Sequence, residues 1–109
     1  MYSPVTECLT FYFPTSFETS SFDASWAVHK KTLYKGKKAK GFRAASAGWV
    51  VEEMEHEGEK CKAWVGFLGW EDRDASMEYR DTQDFQGIIP ALREGSKAIE
   101  AYHVVFLGK

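Results

Sequence analysis

The amino-acid sequence predicts an α+β chain with elements in the order β-α-β-β-α-β and a four-stranded antiparallel sheet. Three observations point there. Runs rich in β-branched and aromatic residues, bounded by Pro, Gly and Asp, recur at four places. Stretches with helix-capping residues, the first with apolar positions at helical spacing, separate the first run from the second and the third from the fourth. No linker, repeat or low-complexity tract divides the 109 residues, so one domain with one core is expected.

Val5–Phe13 (VTECLTFYF) reads as the first strand, ended by Pro14. Alternation puts Glu7, Leu9, Phe11 and Phe13 on one face and Thr6, Cys8, Thr10 and Tyr12 on the other. Thr19, Ser20 and Ser21 can cap a helix over Phe22–Lys35, whose stripe is Phe22, Trp26, His29 and Leu33. At about 100° per residue, His29 lies about 60° from Trp26 and Leu33 about 20°. His29 is thus expected at the edge of the buried stripe, within reach of water. Gly36 is a natural stop. Phe42–Val51 is a second strand that can run on to Met54, Glu57-Gly58 marks a turn, and Lys62–Leu68 is the antiparallel third. Asp72 or Asp74 can cap a short helix through Arg80. Thr82 can cap a second helix, and Pro90 can open another turn. Glu100–Leu107 closes the chain as the fourth strand.

Two β-α-β halves in this order make a ferredoxin-like layer with helices on one sheet face. In the last strand Tyr102, Val104 and Phe106 alternate with His103, Val105 and Leu107, so both faces are apolar. An antiparallel sheet with one wet side would not show this. A second copy of the chain is the simplest cover, and a homodimer is expected. Four Trp, eight Phe and five Tyr are a heavy apolar load for so small an interior, which favours a cavity or an interface.

The formal net charge of -2 gives no pull toward nucleic acid. No stretch reaches the length of a membrane span, and the N-terminal residues do not read as a signal peptide. Two cysteines, Cys8 and Cys61, suit free thiols in a reducing, cytoplasmic setting, although strand neighbourhood leaves a disulfide open. The run Glu52-Glu53-Met54-Glu55-His56-Glu57 lies on a hairpin that scatters its side chains, so no metal site is expected. Lys30, Lys31, Lys35, Lys37, Lys38 and Lys40 read as a solvated helix end.

Trp70-Glu71-Asp72, a helix, then Asp84-Phe85 before another helix resembles a signature of the antibiotic biosynthesis monooxygenase-like branch of the dimeric α+β barrel superfamily. The resemblance is specific over about Ala63–Leu92. It implies a homodimer whose two sheets close a barrel, with a pocket in each subunit between sheet and helices. Members include cofactor-free oxygenases of aromatic polyketides and haem-degrading oxygenases. The wider superfamily holds cyclases, lyases and stress proteins. The positions the haem-degrading members use fall on Glu7, Tyr79 and Ile89, and Ile89 cannot ligate iron. No G-x-G-x-x-G follows a strand. No cofactor is therefore expected.

Four residues are candidates for chemistry. His29 on the helical stripe suits a general base, or a hydrogen-bonded core histidine. His103 sits mid-strand, facing either a pocket or the dimer barrel. Glu7 in apolar company would have its carboxyl raised toward neutrality, unless water reaches it near the strand end. Tyr79, like Tyr34, can donate to a developing oxyanion or simply satisfy its hydroxyl in the core. Trp26, Tyr34, Trp49, Trp64, Phe11 and Phe85 could hold a planar ligand, or just pack. These assignments favour a cofactor-free acid/base enzyme on a planar carbonyl-bearing or phenolic molecule. The rival is a non-catalytic ligand-binding or stress-related dimer. Convergence of His29, His103 and Glu7 on one cavity separates the two.

Overall fold

The computed structural model describes residues 4–35 and 39–106. Gly36, Lys37, Lys38 and Leu107, which carried sequence expectations, lie outside them. The order is β1 (Val5–Pro14), α1 (Thr19–Lys35), β2 (Phe42–Trp49), β3 (Met54–His56), β4 (Glu59–Trp70), α2 (Arg73–Arg80), α3 (Gln83–Arg93) and β5 (Ala98–Val104). All strand pairs are antiparallel, in the order β2-β4-β1-β5 with β3 also on β4. The fold is ferredoxin-like, as expected, with the three helices over one sheet face.

The sheet has five strands rather than the expected four. Trp49 pairs with Trp64 and Met54 with Cys61, so five steps on one strand oppose three on the other. The two extra residues must leave the ladder, and Val51 stands 92% exposed at that break. Beyond it, Glu57 (φ 52) and Gly58 (φ 82) turn the hairpin, both left-handed as a tight two-residue turn requires.

Helix and strand ends shift for local reasons. Helix α1 begins at Thr19, three residues before the expected Phe22, and Glu18 just before it accepts from Ser20 N–H at 3.5 Å and, through its carbonyl, from the Ser21 hydroxyl. Asp72, not Asp74, caps α2 by accepting from Ala75 N–H at 2.8 Å, and Thr82 caps α3 through Phe85 N–H. Pro90 opens no new turn. It sits inside α3, where the Gln86 carbonyl it leaves unbonded lies on an exposed face. Strand β5 begins at Ala98 and ends at Val104, which pairs with Thr6, so Val105 and Phe106 fall beyond the ladder.

Register assigns the faces. Glu7, Leu9, Phe11, Trp64, Leu68, Trp70, Ile99 and His103 point to the helices. Phe67 (44% exposed) and Tyr102 (58%) flank Cys8 on the opposite, uncovered face. Cys8 pairs with Phe67, whereas Cys61 pairs with Pro14, six residues along the strand. That spacing is about 20 Å at 3.3 Å per residue, so both thiols are free and buried.

The core forms two clusters, one around Val5, Leu33, Leu68, Trp70 and Tyr79, the other around Phe11, Phe13, Phe22, Trp64 and Leu92. Leu9 and Trp26 touch both. Trp64 can lie along the sheet because residue 66 is glycine: a Cβ there would stand 2.6 Å from its ring. Gly66→Ala should therefore push the ring off its seat and cost about 1–3 kcal/mol. A urea unfolding midpoint equal to that of the wild type would show that the ring yields freely.

Candidate functional site

Between the two clusters lies a cavity of about 190 Å³, bounded by the sheet and all three helices. One water needs roughly a tenth of that space. The strands supply Leu9, Phe11, Trp64, Leu68 and Ile99, and the helices Phe22, Trp26, Phe85, Ile89 and Leu92. Into this apolar wall are set Glu7, His29, Ser76, Tyr79, Arg80 and Arg93.

His29 is not at a wet edge as helical phase alone suggests. It is only 4% exposed, because Tyr79 and Phe85 lie over that flank of α1, their ring centres 5.8 and 6.1 Å away. Burial pushes its imidazole down to about 4, against a smaller opposing pull from Glu7. Its Nδ1 stands 3.5 Å from the Tyr79 hydroxyl, a loose pairing that either tautomer can make. Burial, assisted by the negative charge of Asp84, pushes the Tyr79 phenol up to about 12. At neutral pH the pair is an uncharged imidazole beside an uncharged phenol.

Glu7 is buried, but it is not the bare carboxylate in apolar company that alternation suggests. Its Oε1 accepts from Trp70 Nε1–H at 3.1 Å and from the Ser76 hydroxyl at 3.2 Å. Its Oε2 meets Arg80 at 3.2 Å. With its oxygens so occupied, Glu7 anchors β1 to β4 and α2. His103 points to the helix side, yet it lines an outer groove and not the cavity, so the expected convergence of His29, His103 and Glu7 on one cavity does not occur and only His29 and Glu7 share it. Its Nε2 lies 2.9 Å from Ser76 Oγ. Because the Ser76 hydroxyl gives its one proton to Glu7, His103 must donate from Nε2. Burial lowers the His103 imidazole, and Arg80 and Arg73 push the same way against Glu7.

Of the residues expected to hold a ligand, Phe11, Trp26, Trp64 and Phe85 line the cavity, whereas Tyr34 and Trp49 do not. Tyr34 is half exposed and its hydroxyl accepts from Ala45 N–H, tying α1 to β2. Trp49 donates from Nε1 to Asp23 at 2.8 Å, over the far end of the same helix. Sequence reasoning missed Ser76, Arg80 and Arg93. Ser76, Tyr79 and Arg80 follow the Asp72 cap at i, i+3 and i+4 spacing, a shared helical face that was available to be read. Among the described residues, no group of three or more His, Cys, Asp or Glu could hold a metal ion.

No family model and no curated protein matches the chain by sequence. Solved structures do match over nearly its whole length. A variant of SnoaB, a cofactor-independent oxygenase from Streptomyces nogalater, superposes with a TM-score of 0.74 at 18% identity, covering 98% of this chain and 96% of its own. The fold is that of the antibiotic biosynthesis monooxygenase-like proteins. A candidate monooxygenase of that kind from Bordetella bronchiseptica gives 0.73 at 16% identity, covering 96% and 98%. A dimeric protein of unknown function from Bacteroides fragilis, described as ferredoxin-like, gives 0.64 at 12%, covering 97% and 100%. At these identities the likeness to the monooxygenase-like proteins is one of fold.

The buried His29 imidazole makes stability depend on pH. The unfolded chain binds protons below its ordinary histidine value of about 6.5, while folded His29 refuses them until about 4. The unfolded state thus gains protons first, and stability should fall as pH drops from 6.5 to 4, by on the order of 3 kcal/mol for His29. His103 adds in the same direction. Melting temperatures across that window should fall less steeply in His29→Gln, and equal slopes would contradict the assignment.

Proposed function

We propose that the chain is a cofactor-independent enzyme that deprotonates a planar phenolic or carbonyl-bearing molecule and passes the resulting carbanion to dioxygen. The observation that carries this reading is the uncharged His29–Tyr79 pair set in the wall of an otherwise apolar cavity. In the productive tautomer, Nδ1–H of His29 donates to the Tyr79 oxygen. Nε2 is then free to take a C–H proton, and the Tyr79 O–H is free to donate to the substrate oxygen as negative charge builds there. A proton is poorly held on so buried an imidazole, but the anion formed beside it offsets that cost. The carbanion gives its electrons to dioxygen, forming a hydroperoxide at that carbon after protonation. Loss of water then leaves a carbonyl, with one oxygen atom in product and one in water. The oxygenase activity described for SnoaB supports this outcome. Glu7 and Ser76 hold the wall in place.

The active form in this reading is a homodimer. The sheet face away from the helices exposes Phe67 and Tyr102 beside Thr10 and Val65, and structurally similar proteins are described as dimeric. Among the described residues no helix is long and apolar enough to cross a membrane. The free thiols Cys8 and Cys61 fit the reducing cytoplasm, where we place the protein.

Two measurements test this reading. With dithranol, whose ring C–H is acidified by two flanking aromatic rings, the protein should speed dioxygen uptake. His29→Gln or Tyr79→Phe should cut the rate by about 10²–10⁴. The acid limb of kcat/KM should fall near pH 4, where folded His29 titrates, rather than near 6.5. Uptake no faster than in buffer, or variants as fast as wild type, would sink the reading. Sedimentation at micromolar concentration should give a dimer mass, with an interface on the order of 2,000 Å², and Phe67→Glu should give a monomer. A monomeric wild type would end the dimer proposal.

A further inference from the structure

We infer that the cavity takes an anionic aromatic ligand, whose carboxylate or phenolate is held by Arg93 at the end remote from His29. The inference deepens the reading of the cavity as a ligand site and rests on it. Among the described residues three charged side chains line the cavity, and two of them, Glu7 and Arg80, neutralise each other at 3.2 Å. His29 and Tyr79 are uncharged at neutral pH. One positive charge is left, on Arg93, whose side chain has no ion-pair partner among the described residues.

An arginine in the last turn of a helix is favourable by itself, since it faces the negative end of the dipole. That accounts for its charge but not for its direction. Phe85, Ile89, Leu92 and Arg93 form one helical stripe at i, i+4, i+7 and i+8, and every member of it lines the cavity. Neither Asp84 nor Glu94, the acidic residues of α3 and its cap, does so. Phe85 stands against the His29–Tyr79 pair, with ring centres 6.1 and 5.7 Å away. Arg93 lies eight residues further along α3, a rise of about 12 Å. A ligand of two or three fused rings spans that distance. With its acid group at Arg93, its far ring lies beside the imidazole and the phenol. Arg93 itself is exposed, so it meets the acid group where the cavity opens to solvent, while the apolar walls hold the ring system.

Binding of two fluorescent probes of one shape tests this at pH 7.5: anthracene-2-carboxylate, which is charged, and 2-(hydroxymethyl)anthracene, which is not. Quenching of tryptophan fluorescence reports occupancy, since Trp26 and Trp64 are in the wall. Wild type should bind the carboxylate about fivefold tighter, as a charge-assisted contact to an exposed guanidinium allows. Arg93→Gln should reduce that preference to within about twofold while leaving affinity for the neutral probe unchanged, and Arg93→Lys should keep part of it. Equal affinities in wild type, or a preference that survives Arg93→Gln, would overturn the inference and leave the cavity standing as a ligand site. Binding of neither probe would overturn both.

Discussion

The Glu7 carboxylate is the contact on which the rest of the site depends. It is carried by β1 and gripped by Trp70 at the end of β4 and by Ser76 and Arg80 on α2. Ser76 passes the link on to His103 on β5. One buried charge thus ties three adjacent strands to the helix that carries Tyr79. Burying a carboxylate is costly unless its oxygens are satisfied, and here hydrogen bonds and a cation satisfy both.

That anchor leaves the rest of the interior free to be aromatic and incompletely filled. Phe11, Phe22 and Trp64 pack edge to face at 4.8–5.6 Å, while on the other side Phe42 meets Trp70 edge to face at 5.4 Å and Tyr79 lies tilted against Trp70 at 5.6 Å. Large flat side chains meeting at steep angles leave space between the two groups, and Leu9 and Trp26 only bridge it. The aromatic surplus therefore has two destinations. Part builds the walls of the cavity, and part, Phe67 and Tyr102, stands on the open sheet face.

The low polarity of those walls also sets the chemistry available. It keeps His29 and Tyr79 uncharged together, an arrangement that water would not favour for long near an incoming anion. The fold supplies the layer, but the side chains in this pocket belong to this chain. Fold alone does not carry a reaction across such low identity.

Much of the architecture was already decided by local sequence. The period-two run at Val5–Phe13, the caps Asp72 and Thr82 and the Glu57-Gly58 turn act through neighbours a few residues away, so they can be read along the chain. The same alternation placed Glu7 with Leu9 and Phe11. What the sequence could not decide was where distant segments cover one another. His29 looked half wet because helical phase knows nothing of Phe85, 56 residues on, which covers it. Glu7 looked unpaired because Trp70, Ser76 and Arg80 are brought to it only by the β1–β4 pairing and the seat of α2. Tyr34 and Trp49 looked like ligand contacts because aromatic character says nothing about direction. Burial and charge at a site are properties of the whole packed environment, and only the tertiary structure assembles it.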